Sequence, residues 1–95
     1  MMGVTTPEDI AWLTEKLTPH PWKCFEQPLQ LANEPAVRRI PFTNINASWS
    51  MKVRPPESVR RASEGDRVWE IDTGHDLMIT EPKAVARLLL RVAAL

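Results

Sequence analysis

The chain has 95 residues, 12 of them Lys or Arg and 12 Asp or Glu, so its formal net charge at pH 7 is zero. That length holds one small domain and removes most enzymes that assemble a site from a large sheet or two lobes, and the balanced charge supplies no global field for phosphate or anionic lipid. A general binder of nucleic acid or membrane surface is therefore not expected, and the single Cys24 excludes an internal disulfide and zinc sites built on paired cysteines. The opening residues lack the basic start and apolar run of a secretory signal, and no apolar stretch reaches the roughly 18 residues of a membrane span. The expected location is the cytoplasm.

In chain order, Thr6-Pro7-Glu8-Asp9 reads as a helix start, with proline at the first helical position and acids at the positive end of the dipole. Ile10, Leu13 and Leu17 follow at helical spacing, predicting a helix from Pro7 to about Leu17. Nine prolines stand in the chain, about twice ordinary usage, and five of them lie between Pro19 and Pro41. The connector around Trp22, Phe25, Leu29 and Leu31 is thus too broken for a continuous helix, yet its apolar residues need burial, as in a lid or cap.

Ile40 to Asn46 is β-branched and aromatic in bias and predicts a short strand with Pro41 at its beginning. Pro55-Pro56 opens a helix to about Ser63, with Gly65 closing it. Arg67 to Asp72 is the clearest strand, and a turn at Thr73-Gly74-His75-Asp76 leads to a last helix opened by Thr80-Glu81-Pro82, whose Val85, Leu88, Leu89 and Val92 form one apolar stripe. The pattern divides into a helix and proline-rich cap-like segment over 1–38 and a βαβα unit over 39–95. The expected class is α/β, with two parallel strands joined by a right-handed crossover. Two strands leave exposed edges and read as the end of a larger sheet.

The chemistry-bearing candidate is His75, placed just past the carboxyl end of a strand, where ligands and catalytic groups gather in open α/β sheets. Gly74 permits a tight turn that projects the imidazole, and the expected direction is toward the cap segment at Pro21 and Trp22. Asp72 and Asp76 flank it, but three donors in one turn without a second cluster do not predict a metal site. His20 between two prolines and Cys24 read as structural or solvated residues. Arg54, Arg60, Arg61 and Arg67 read as a solvated face.

The stretch Glu70-Ile71-Asp72-Thr73-Gly74-His75-Asp76-Leu77-Met78-Ile79-Thr80-Glu81-Pro82, followed by Val85 to Leu90, resembles the C-terminal end of the α/β-hydrolase fold, in its esterase and hydroxynitrile-lyase-like group. The segments Leu17-Thr18-Pro19-His20-Pro21-Trp22 and Phe25-Glu26-Gln27-Pro28-Leu29 similarly resemble the end of that group's cap, so the resemblance touches most of Trp12 to Leu95. It implies a partial α/β-hydrolase fold in which His75 matches the catalytic histidine, a general base toward a serine. Trp22 and Phe25 would then wall the pocket of a small ester or amide substrate, with no cofactor. The resemblance also marks two departures. No Gly-x-Ser-x-Gly elbow is present, and Ala47-Ser48-Trp49-Ser50, where the family's acid commonly follows the strand, holds no carboxylate. The acid is missing or supplied from elsewhere.

These departures lead to the expectation of a C-terminal hydrolase portion that is inactive alone and that self-associates or docks to a hydrolase core. The alternatives are a non-catalytic remnant acting as an interaction or oligomerisation module, and a small α/β domain of unrelated role.

Overall fold

Proline placement and charge at helix ends decide where this chain turns helical. The computed structural model describes residues 2–95. Helix α1 spans Pro7–Lys16, with Pro7 in its first turn, Glu8 and Asp9 at its positive end and Lys16 in its last turn. Leu17 leaves the helix with ψ 136°, so of the apolar stripe only Leu13 is buried, and Leu17 is exposed.

The connector holds two single turns that the sequence pattern does not announce, α2 (Lys23–Glu26) and α3 (Glu34–Val37). The side chain of Asn33 accepts the Ala36 N–H at 3.2 Å and caps α3, and Glu34 pairs with Arg38 one turn on. The expected burial of this segment is overturned: Trp22 is 68% and Phe25 69% exposed, and Leu29 is more exposed still. Prolines at 19, 21 and 28 interrupt the hydrogen-bond ladder, so no continuous apolar face forms to be laid on the rest of the molecule. The rings gather locally instead, Phe25 packing on Trp22 at 5.6 Å and edge-on to His20 at 5.0 Å between centroids.

Strands β1 (Thr43–Ala47) and β2 (Arg67–Ile71) form a two-stranded parallel sheet, in register from Thr43 beside Arg67 to Ala47 beside Ile71. The parallel α/β pairing expected from the sequence is present. The first strand starts at Thr43 rather than Ile40 because Pro41 has no N–H to offer a ladder, and because the Phe42 N–H is taken by Asp66 Oδ2 at 2.9 Å. Helix α4 (Ser48–Val53) follows β1 without a break and has no counterpart in the sequence reading. Helix α5 (Pro56–Ala62) matches the expected one.

The two asparagines of β1 fasten the end of α5. Asn46 Nδ2 donates to the Ala62 carbonyl at 2.8 Å, and Asn44 Nδ2 donates to Glu64 at 2.5 Å and Arg61 at 3.3 Å. Carbonyls that a helix end leaves unpaired are thereby satisfied from the sheet. Along the outer side of α5, Arg60 and Arg61 both bond Glu57, and the Arg60 guanidinium holds that carboxyl below its usual range. Gly65, at φ +136°, makes the turn into β2 in a conformation that L side chains rarely adopt.

After β2 come a further single turn, α6 (Leu77–Thr80), and α7 (Pro82–Ala93). Val85, Leu88 and Val92 of the expected stripe are half-buried and Leu89 is exposed, so α7 has no fully covered residue. The Arg91 guanidinium lies 5.0 Å from the centre of the Trp69 ring and ties α7 to β2.

The covered apolar set is small: Val4, Leu13, Ala47 and Ala62, joined by buried Asn46, Ser48 and Ser50. Accessible area is 7758 Å², against about 5,500 Å² for a folded monomer of this mass. The radius of gyration is 15.6 Å, against about 12.4 Å for a compact domain of this length. Both comparisons describe an open arrangement. No helix among the described residues is long and apolar enough to cross a membrane.

Candidate functional site at the carboxyl ends of the strands

Because the strands are parallel and in register, the two segments that leave them emerge side by side. Ala47 stands beside Ile71, and the next pair in that register is Ser48 and Asp72, whose side chains meet with Ser48 Oγ donating to Asp72 Oδ1 at 2.5 Å. One residue further, the Trp49 N–H donates to the Thr73 carbonyl at 3.2 Å. The third tie is between Ser50 Oγ and His75 Nδ1, at 2.9 Å. Helix α4 is thus laced to the turn after β2 rung by rung. The Thr73 and Thr80 hydroxyls, 2.6 Å apart, tie the same turn to the end of α6.

A second segment holds this turn from the amino-terminal side. The His75 N–H donates to the Met2 carbonyl at 2.8 Å, and Gly3 lies directly against Gly74. A Cβ on Gly74 would stand 2.5 Å from the Gly3 carbonyl oxygen, closer than van der Waals contact allows. Val4, only 2% exposed and the most completely buried large side chain, anchors that segment. Glycine at 74 therefore serves the close approach of two backbones, beyond the tight turn expected of it.

His75 is half-buried, and its hydrogen-bond partner among the described side chains is Ser50 on α4. No hydrogen bond or ring pair joins His75 to Pro21 or Trp22 among the described residues; Phe25 packs on Trp22 and edge-on to His20. No hydrogen bond to His75 Nε2 occurs among the described residues. Asp72 is occupied by Ser48 and does not reach the imidazole, so no carboxylate orients the ring. Among the described residues no three His, Cys, Asp or Glu side chains converge as metal donors, and Cys24 is exposed.

A separate open crevice of about 430 Å³ runs between β1 and α5, lined by Asn44, Arg54, Ser58, Arg61 and Ala62. Neither His75 nor the pair Trp22 and Phe25 lines it. The remaining arginines of the expected solvated face are tied up locally, Arg60 with Glu57 and Glu64 and Arg67 with Thr43 Oγ1 at 2.8 Å.

Sequence reasoning placed His75 correctly at a strand's carboxyl end but missed Ser48, Ser50 and the Met2 to Val4 segment. A usable signal existed for the serines. Extending a parallel register by one residue past each strand sets Ser48 opposite Asp72, and hydroxyls two apart then face the turn that carries His75. The contact of residues 2 and 3 with residues 74 and 75 spans more than seventy positions and leaves no local pattern. Comparison with protein-family models, curated proteins and solved structures finds no match to this chain.

Proposed function

We propose that this chain is the C-terminal portion of an α/β-hydrolase, supplying His75 to a site whose serine and oxyanion donors come from a separate core, and that it is catalytically inert by itself. The observation that carries this reading is the position of the imidazole. It lies past the carboxyl end of β2, it is braced at Nδ1 from the element that follows β1, and its Nε2 edge has no hydrogen-bond partner among the described residues. One nitrogen steadied by the protein and the other open to a reacting group is half of what a general base needs, the other half being a ring proton on Nδ1. The open shape adds support, since about 2,200 Å² more surface is exposed than a closed monomer of this mass would show, an amount comparable to a substantial protein interface. The substrate class is a small ester or amide, acted on only once such a core is docked.

The second reading, a non-catalytic module that associates with copies of itself, draws on the same exposed surface and needs nothing from His75. Turnover of a small activated ester separates the two. The chain alone should hydrolyse it no faster than an equal concentration of free imidazole. Mixed with a serine-bearing α/β-hydrolase core that lacks its last two strands, it should restore turnover that His75→Ala abolishes. A stable dimer of the chain that neither binds such a core nor shows His75-dependent turnover would replace the first reading with the second. Turnover by the chain alone, well above imidazole and lost in His75→Ala, would overturn the inert assignment.

A further inference from the structure

The hydroxyl that braces His75 has a proton to place, and its surroundings dictate where it goes. Ser50 is 3% exposed, so water is not a ready acceptor, and a buried donor left unpaired costs about 1–3 kcal/mol. In a helix a serine or threonine hydroxyl commonly donates back to the carbonyl one turn earlier. Thr14 does so to Ile10 at 2.8 Å, Ser63 to Val59 at 2.8 Å and Thr80 to Asp76 at 3.4 Å. Ser50 stands in the first turn of α4, where the carbonyls one turn earlier belong to β1, and makes no such bond. Its Oγ has one partner among the described residues, His75 Nδ1 at 2.9 Å, and no buried side-chain polar atom among those residues is left without a partner.

We propose that Ser50 is the positioning residue of His75, that its hydroxyl donates to Nδ1, and that neutral His75 is therefore held with its proton on Nε2. An imidazole accepting at Nδ1 must carry the proton on the other nitrogen. The edge of His75 left without a protein partner is then a hydrogen-bond donor, suited to a carbonyl or anionic oxygen, and takes no proton from a nucleophile while Ser50 donates to Nδ1; a docked core must turn that hydroxyl away, or set an acceptor at Nδ1, before His75 acts as base. A carboxylate at this position would have the opposite effect, because it only accepts and places the proton on Nδ1. Ser50 itself is not a nucleophile here, since a hydroxyl this enclosed on α4 cannot be reached by a substrate carbonyl.

The tautomer assignment stands on the local geometry, and only its consequence, that His75 is held out of the base form, rests on the hydrolase reading. Nitrogen-15 NMR of the full chain, above the pH at which imidazole protonates, reads the tautomer directly. His20, exposed beside Phe25, serves as an internal reference. The expected spectrum has an unprotonated Nδ1 and a protonated Nε2 at His75, and a slowly exchanging Ser50 hydroxyl proton in contact with the ring. Ser50→Ala should remove that proton signal and move the His75 nitrogens toward those of His20. Ser50→Asp should invert the pair, protonating Nδ1. If Ser50→Asp does not fold, the wild-type spectrum and Ser50→Ala decide the matter. A protonated Nδ1 in the wild type, or His75 nitrogen signals unmoved by Ser50→Ala, would overturn the assignment whatever the ester experiments show.

Discussion

At the scale of single residues, the turn carrying His75 depends on two backbones meeting where neither has a side chain. Gly74 lies against Gly3, and the adjacent His75 N–H reaches the Met2 carbonyl at 2.8 Å. Gly74→Ala places a methyl against backbone atoms, which cannot rotate away as the end of a flexible side chain would. The expected cost is about 1–3 kcal/mol, the range for overpacking a filled site. Thermal unfolding should report a lower midpoint, and amide hydrogen exchange should show His75 losing protection ahead of the strand residues. Unchanged protection at His75 would mean that the Met2 contact is not what steadies this turn. The same scale explains why His20 and Asp72 do not serve the imidazole of His75 in the proposed function. The first is engaged by Phe25, and the second is occupied by Ser48.

At the scale of elements, α5 is a seven-residue helix, too short to persist in water without outside support. Ion pairs along its exposed side contribute little, because exposed pairs are screened. The larger support comes from β1, where buried Asn46 holds the helix end by donating from Nδ2 to the Ala62 carbonyl at 2.8 Å. Asn46→Ala should therefore destabilise the chain by about 1–2 kcal/mol through the lost bond and the orphaned carbonyl. Urea titration of the variant checks the magnitude. A loss smaller than that of a substitution at exposed Glu57 would show that the helix is held by its ion pairs instead. The connector contrasts with this arrangement: α2 and α3 are single turns with no buried residue, and Phe25 of α2 finds its ring partners in the neighbouring His20 and Trp22.

At the scale of the whole molecule, the sheet has two strands among the described residues, and α7, tied to β2 by Arg91 over Trp69, has no fully covered residue. Leu89, Leu90 and Leu95 stand exposed near the carboxyl terminus, and Trp12, Leu17, Trp22 and Phe25 elsewhere. Isolated exposed apolar residues are ordinary, but this many on 95 residues raise the accessible area well above that of a closed monomer. Sedimentation should accordingly show dimers or larger species, and a dye that reports apolar surface should bind. Docking a complementary core should suppress both. A monomer that melts sharply and binds no dye would contradict the proposed docking role and favour a small α/β domain that closes on itself in solution.

Short-range chemistry made much of the fold legible in the sequence. Proline at helix starts, acids in first turns and β-branched runs bounded by glycine mark α1, α5, β2 and α7, because each acts on its own few residues. The place of His75 past a strand end was legible for the same reason. The role of its neighbours was decided by tertiary structure, because parallel pairing, once its register is known, sets Ser48 and Ser50 beside residues some twenty-four positions away, and the Met2 to Val4 segment closes over the turn from the far end of the sequence. Composition likewise showed how many apolar side chains the chain carries, but not which of them are covered. Trp22 and Phe25 remain exposed because burial requires an opposing surface, and the proline-broken connector brings them to none.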